Sequence, residues 1–193
     1  MKTKQPPALI LIDIQKGLEE IEYYGGARNN PDAEEKAAIL LAYWRNQNYP
    51  VFHIKHNGTP PSPLTKGRPG NEFKEITKPI KGESILEKSS NSAFINTPLH
   101  KMLKDIKITD VVLVGLTSSH CVSSTARMAG NFGYNTFVIS DATATFDTLG
   151  PEGEQFEASL VHKITLANLH KEFAIVLTTK NMLELMVNRL KEK

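Results

Sequence analysis

Three side chains of this sequence could together perform hydrolytic chemistry: the thiol of Cys121, the carboxyl group of Asp13 and the ammonium of Lys88. A free thiol has a pKa of about 8.5, and its thiolate is the nucleophile. A helix N-terminus and a nearby ammonium both stabilise a thiolate, and Cys121 is predicted to open a helix. A neighbouring carboxylate can take the thiol proton and later return it to a leaving group. These residue types suit an activated nucleophile with its own general base.

The elements that must position these residues alternate between strand and helix. The first apolar run, Ala8–Ile12, is short and unalternating, which is typical of a strand covered on both faces of a parallel sheet. Apolar residues then recur at helical spacing at Ala37, Leu40, Leu41 and Trp44. Similar patterns predict further strands at 50–54, 84–87, 111–116, 136–140 and 173–177, and further helices at about 97–106, 121–131, 152–169 and from 179.

This alternation predicts the fold class. Strands separated by helices imply right-handed crossovers. We therefore expect an α/β fold with a doubly wound, mostly parallel sheet of about six strands and helices on both faces, a three-layer α/β/α arrangement. The strand at 84–87 is expected to be central, and residues 1–193 are expected to form a single domain.

Polar residues that follow strands mark the predicted site. Ligands of doubly wound sheets bind outside the carboxyl ends of the strands. Asp13 closes the first strand, Lys88 follows the strand at 84–87, and Cys121 follows the strand at 111–116. The three side chains are therefore expected to converge on one rim of the sheet.

Composition excludes several function classes. The chain has 23 basic and 21 acidic residues and no basic cluster with interleaved aromatics, so we expect no nucleic acid and no membrane partner. Its apolar runs are far shorter than the roughly 18–20 residues that cross a bilayer, and no leader opens it. One cysteine cannot form an internal disulfide, which fits a reducing compartment. We expect a soluble, cytoplasmic protein.

The segment 57–83 has no clear periodicity and is rich in Pro and Gly. Loops of that length in compact domains are usually functional or disordered. We expect it to form either a lid over the site or a contact between subunits.

Three motifs surround the candidate site residues. They are LIDIQ at 11–15, KSSNSAF at 88–94 and GLTSSHCV at 115–122. In this order they resemble the strand-Asp-x-Gln opening, the Lys followed by Ser-Ala-Phe, and the Gly-to-Cys-Val loop of the isochorismatase-like cysteine hydrolases, which include nicotinamidase-related amidases. Later segments at 133–142 and 162–174 are also similar, so the resemblance spans nearly the whole chain.

The resemblance implies specific roles. Cys121 would be the nucleophile, Asp13 the proton shuttle and Lys88 the cation that stabilises both. The family also implies a cis peptide bond between Leu116 and Thr117. That bond would aim the backbone N–H groups of Thr117 and Cys121 at a developing oxyanion.

Residues within or beside the same motifs would line the substrate pocket. These residues are Gln15, Leu18, Phe94, Ser118 and His120. Leu18 stands where family members often carry an aromatic side chain, which disfavours a stacked ring as the substrate.

Histidines suggest two other sites that the spacing disfavours. His120 precedes Cys121, but neighbouring helical residues point about 100° apart, so pocket lining is favoured over a Cys–His dyad. His53 and His56 are three apart on a predicted strand and should face opposite ways. Val51 stands where the nicotinamidase branch of the family has a metal-binding Asp. We predict no metal and no cofactor.

The function implied by the resemblance is hydrolysis of a C–N bond of a small amide through a thioester. Two alternatives stay open. One is vinyl-ether hydrolysis of an isochorismate-like substrate, which relatives without the cysteine perform. The other is a non-catalytic protein on the same scaffold, with Cys121 as an oxidation sensor or as a buried packing residue. The family's habit also implies a homo-oligomer, a dimer or a tetramer.

Overall fold

A six-stranded sheet forms the centre of the computed structural model, which describes residues 5–191. Its strands are β1 (Ala8–Ile12), β2 (Val51–His56), β3 (Ser84–Lys88), β4 (Asp110–Leu116), β5 (Asn135–Ala144) and β8 (Ile175–Leu177). Their order across the sheet is β3-β2-β1-β4-β5-β8, and all neighbouring pairs are parallel. Two further short strands, β6 (Thr148–Leu149) and β7 (Gln155–Phe156), form an antiparallel hairpin.

Helices cover both faces of the sheet. They are α1 (Ala33–Asn46), α2 (Leu99–Asp105), α3 (Ser123–Asn131), α4 (Ala158–Leu169) and α5 (Thr179–Lys191). On one face, Trp44 of α1 and Met182 of α5 are buried beside Leu9. On the other face, Leu103 of α2 and Ala126 of α3 belong to a second core. The predicted three-layer α/β/α fold is confirmed. Within residues 5–191, no helix is long and apolar enough to cross a membrane.

Burial along the strands explains their sequences. Strands β1 and β4 are buried along their whole length, so nearly all their positions are apolar. In β3, Leu86 and Lys88 are buried while Ile85 and Glu87 are exposed. The prediction that this strand is central is wrong, because β3 pairs with β2 alone and lies at the edge of the sheet. Its alternation is that of a strand with one solvent-facing side.

Several predicted boundaries also differ from the structure. The helix predicted from about Glu152 begins at Ala158, because the β6–β7 hairpin occupies the residues before it. The helix predicted from about Cys121 begins with a π-helical turn, Ser118–Val122, that continues into α3. Strand β5 extends at both ends beyond the predicted 136–140.

The segment 57–83 folds back against the carboxyl ends of β1 and β2. The backbone N–H of Lys74 donates to the carbonyl of Ile14 at 3.1 Å, and that of Lys16 donates to the carbonyl of Glu72 at 2.8 Å. These hydrogen bonds hold the segment beside the residues that follow β1. Its roles as a lid or a subunit contact remain predictions.

A cluster of charged and polar side chains connects the end of the segment 57–83 to α1 and β2. Arg45 donates to both carboxylate oxygens of Glu83, at 2.7 and 2.8 Å. His53 donates to the same carboxylate from Nε2 at 2.8 Å, and the N–H of Ile80 donates at 3.0 Å. Burial opposes ionisation of Glu83, but these hydrogen bonds outweigh it and lower its pKa to about 2. Burial lowers the pKa of His53 despite the carboxylate, so the imidazole is neutral at pH 7.

We expect Glu83→Gln to lower the free energy of unfolding at pH 7 by about 1–3 kcal/mol, because charge-assisted hydrogen bonds are lost. The folded-state pKa of Glu83 lies below the ordinary value of 4.5, so its ionised form stabilises the fold above that pH. This stabilisation is lost as the pH falls toward 2. Urea unfolding of both proteins at pH 7 and pH 3 measures the effect, with Glu35→Gln on the exposed side of α1 as the control. A loss of equal size at both pH values would contradict the assignment.

Candidate active site

Asp13, Lys88 and Cys121 meet at the carboxyl ends of three strands, beside a cavity of about 310 Å³. Asp13 directly follows β1 and has a left-handed φ of 52°. Lys88 is the last residue of β3, and Cys121 lies in the π-helical turn after β4. All three side chains are buried. The rim predicted from the strand ends is the place where the structure brings them together.

The Lys88 ammonium is the centre of this cluster. Its three hydrogens face three acceptors: Asp13 Oδ2 at 2.7 Å, His56 Nδ1 at 3.0 Å and Cys121 Sγ at 3.3 Å. A buried ammonium is costly unless it is paired and fully hydrogen-bonded. The three acceptors meet that requirement, and they leave Lys88 without a hydrogen for another ligand.

Asp13 has one oxygen that no hydrogen bond of residues 5–191 occupies. Its Oδ2 accepts from Lys88, whereas Oδ1 is buried and has no hydrogen-bond partner among residues 5–191. One acceptor oxygen of Asp13 and the sulfur of Cys121 lie within 4.8 Å of each other. A buried acceptor with an unused lone pair is suited to receive the thiol proton.

The resting thiol is protonated, which corrects the expectation of a stabilised thiolate. Burial raises the pKa of Cys121, the negative charge of Asp13 raises it further, and Lys88 offsets only part of this. The sequence argument counted the ammonium and the helix start but not the burial. A protonated thiol must lose its proton to a nearby acceptor before it can act as a nucleophile.

The loop that presents Cys121 begins with close backbone contacts. Gly115 has a φ of +114°, and a Cβ there would lie 2.0 Å from the carbonyl oxygen of Ile12. The peptide bond between Leu116 and Thr117 is cis. The N–H groups of His120 and Val122 both donate to the carbonyl of Thr117, at 3.2 and 3.1 Å. The oxyanion role of the Thr117 and Cys121 N–H groups remains a prediction.

Two of the predicted pocket residues line the cavity. Leu18 lies in its wall, and so does His120, whose Nδ1 is 3.0 Å from the hydroxyl oxygen of Thr117. That contact, and not one with Cys121, orients the His120 ring.

The other three predicted pocket residues are packed elsewhere. Gln15 is fully buried and hydrogen-bonds to backbone groups of His56. Phe94 belongs to an aromatic cluster with Phe132, Tyr134 and His100. Ser118 is buried, and its hydroxyl lies 2.8 Å from Nδ1 of His162. In each case the motif position supports a loop and does not face the cavity.

Sequence reasoning missed several residues of the cavity wall. The additional residues include Tyr23, Tyr24, His56, Thr59, Ser62 and Asn91. His56 ends β2, so the rule that located Asp13 would have found it. Thr59 and Ser62 belong to the segment 57–83, which had been marked as functional without individual residues. The two tyrosines had no signal, because they lie in a short irregular stretch after β1.

Asp13, His56 and Cys121 are also residue types that can bind a metal ion. Ligand atoms of Asp13, His56 and Cys121 lie within 4.8 Å of one another. However, the Lys88 ammonium hydrogen-bonds to all three, so a positive charge already occupies the space between them. These residues do not fit a metal ion.

We expect iodoacetamide to alkylate Cys121 more slowly at pH 7 than it alkylates a free thiol, at a rate that still rises above pH 9. In Asp13→Asn the reaction should be faster at each pH, because the negative charge that raises the thiol pKa is gone. Mass spectrometry of the intact protein measures the alkylation of Cys121 directly, since the chain has one cysteine. The exposed Asp105→Asn serves as the control. Unchanged or slower alkylation of Asp13→Asn would refute this account of the thiol.

Comparisons with known proteins identify the family of this chain. The Isochorismatase domain model matches residues 7–181. The uncharacterized isochorismatase family protein YrdC of Bacillus subtilis is 43% identical over 93% of this chain and 96% of its own length. Maleamate amidohydrolase of Pseudomonas putida is 31% identical over 70% of each chain.

A solved structure shares the whole fold. An isochorismatase-family protein from Chromobacterium violaceum superposes with a TM-score of 0.91 at 35% identity, covering 97% of this chain and 96% of the other. The domain match covers nearly the whole chain, and the sequence and structure relatives agree with it. This chain belongs to the isochorismatase family of hydrolases.

Proposed function

We propose that this chain is a cysteine-dependent amidohydrolase that cleaves the C–N bond of a small uncharged amide. The observation that carries the proposal is the shared ammonium: Lys88 hydrogen-bonds to both the Cys121 sulfur and the Asp13 carboxylate at the wall of one cavity. A nucleophile and a general base held in this way are the minimum for acyl transfer. Amidases among the relatives, such as nicotinamidase 3 of Arabidopsis thaliana and maleamate amidohydrolase, support the same reaction class.

In the first half-reaction, Cys121 Sγ attacks the carbonyl carbon of the amide while the thiol proton moves to Asp13. The carbonyl π electrons move to oxygen, where the N–H groups of Thr117 and Cys121 would stabilise the charge. Asp13 then protonates the nitrogen, the C–N bond breaks, and ammonia or an amine leaves. The acyl group remains on sulfur as a thioester.

In the second half-reaction, water attacks the thioester and gives a proton to Asp13. The C–S bond breaks, the acid is released, and Asp13 returns the proton to sulfur. Lys88 stays protonated throughout, because its charge is needed by Asp13 in one half of the cycle and by the departing thiolate in the other. No cofactor takes part.

The charge of the cavity wall limits the kinds of substrate that can bind. No lysine or arginine lines the cavity in the part of the chain that the structure describes. The Lys88 ammonium is already fully hydrogen-bonded, and Asp13 adds negative charge. A substrate carboxylate would therefore lose its hydration without gaining a cation. An uncharged amide avoids that cost.

The two alternatives are less well supported. An isochorismate-like vinyl ether carries carboxylates, for which the lining residues offer no lysine or arginine. A redox sensor is typically an accessible thiol with a low pKa. Cys121 is buried, and burial raises its pKa.

Cys121→Ala should abolish ammonia release from an amide panel, and Asp13→Asn should lower kcat/KM by at least about 10³-fold, as expected for residues that act as one unit. The alkylation assay on Asp13→Asn shows whether its thiol is still present and accessible. Circular dichroism checks the fold of each variant. Ammonia release that persists in Cys121→Ala would remove the cysteine from the mechanism.

Substrate charge can be tested with a matched pair. Butanamide and succinamate have the same chain length and differ by a terminal methyl or carboxylate. We expect kcat/KM for butanamide to exceed that for succinamate by at least about tenfold, which corresponds to about 1.4 kcal/mol of unpaired carboxylate burial. Coupled ammonia detection measures both. Preference for succinamate would refute the uncharged-substrate assignment.

A further inference from the structure

The hydrogen bond from Lys88 determines which nitrogen of His56 is protonated. An ammonium has no lone pair and can only donate, so His56 Nδ1, 3.0 Å from Lys88 Nζ, must be the acceptor. An imidazole whose Nδ1 accepts a hydrogen bond carries its proton on Nε2 in the neutral form. The contact thus fixes the tautomer of His56.

The electrostatic surroundings keep this imidazole neutral. Burial lowers the pKa of His56, the positive charge of Lys88 lowers it further, and Asp13 opposes the change. These two residues are the charged groups that act on it most strongly. At neutral pH, His56 is therefore an uncharged ring with a single N–H.

The backbone of His56 is held from two sides. Gln15 Oε1 accepts from the His56 N–H at 2.8 Å, and Gln15 Nε2 donates to the His56 carbonyl at 3.0 Å. Asn71 Nδ2 donates to the same carbonyl at 2.9 Å. Gln15 Nε2 also donates to the carbonyl of Asn71 at 2.9 Å. This network explains why Gln15 is buried, and it fixes the position of the His56 backbone from which the ring extends.

The N–H on Nε2 has no acceptor in the part of the chain that the structure describes. His56 lies in the wall of the cavity, and within residues 5–191 its ring makes one hydrogen-bond contact, that of Nδ1 with Lys88. The N–H on Nε2 is therefore free to donate to water or to a ligand, and a ligand acceptor would take the place of the water. Because the donor is neutral, a neutral oxygen or nitrogen is its natural partner.

We propose that His56 is a specificity-determining residue whose Nε2–H donates a hydrogen bond to an acceptor atom of the substrate outside the scissile amide. This inference rests on the proposed function, and it adds a requirement to the substrate: an uncharged amide with an ether, carbonyl or similar acceptor close to its acyl carbon. His56 thus has two separate contacts, one to Lys88 through Nδ1 and one to the substrate through Nε2.

Two substitutions separate these contacts. In His56→Asn, the shorter amide reaches the position of Nδ1 and can still accept from Lys88, but no donor reaches the position of Nε2. In His56→Gln, the longer amide reaches the position of Nε2 and keeps a donor toward the cavity, but the acceptor for Lys88 is lost. Thermal unfolding checks that both variants are folded.

The substrates are pairs in which one ether oxygen replaces a methylene: 2-methoxyacetamide with butanamide, and 3-methoxypropanamide with pentanamide. For at least one pair, we expect the wild-type protein to prefer the ether by about fivefold or more in kcat/KM. His56→Asn should abolish the preference, and His56→Gln should keep most of it. The pH profile of Cys121 alkylation should shift in His56→Gln, because a ligand of Lys88 is lost, and stay near wild type in His56→Asn.

A binding readout keeps the test independent of turnover. The same compounds are assayed for protection of Cys121 from iodoacetamide, which needs binding in the cavity but no hydrolysis. Stronger protection by the ether that is lost in His56→Asn supports the role of His56, even if no compound releases ammonia. The absence of ammonia release would refute the proposed function and leave the role of His56 standing. If the ether and its methylene counterpart protect wild-type Cys121 equally in both pairs, or if neither protects it, the inference is overturned. An ether preference that survives in His56→Asn also overturns it.

Discussion

The placement of one buried ammonium sets the arrangement of the site. Lys88 has no solvent to hydrate its charge, so the fold must supply an acceptor for each of its hydrogens. The three acceptors come from the ends of β1 and β2 and from the turn after β4, and Lys88 itself ends β3. Removing one partner of a buried ion pair typically costs about 3–5 kcal/mol. The electrostatic requirement of Lys88 thus connects four strand ends into one unit.

This arrangement also limits how much negative charge the carboxylate and the thiol can carry together. An ammonium shared between a carboxylate and a thiol stabilises a single negative charge well and a second one poorly. In the resting protein the sulfur keeps its proton, because burial and the nearby Asp13 raise the pKa of the Cys121 thiol. Moving the proton between them conserves the total charge around Lys88.

The fold and the residues that meet at the cavity could be predicted because their signals are local. Apolar runs and helical spacing define the layers, and the ends of the strands locate Asp13, Lys88 and Cys121. The pocket wall was harder to predict, because its residues come from irregular segments whose path depends on packing. Tyr24 stacks on Phe146 with ring centroids 5.0 Å apart, a contact between segments that no periodicity reveals. The raised pKa of Cys121 likewise depends on burial, which motif spacing does not report.

The position of β3 at the sheet edge has a consequence for how the protein would lose activity. Lys88 lies on a strand that pairs with one neighbour only, whereas Asp13 and Cys121 are attached to the fully buried central strands. Edge elements open locally at a smaller free-energy cost than the core. Separation of β3 from β2 would withdraw the ammonium while leaving the rest of the sheet intact. Mild heat or denaturant should therefore disrupt the site before the helices unfold. Resistance to inactivation would then depend on the local stability of β3 and not on the free energy of unfolding of the whole domain.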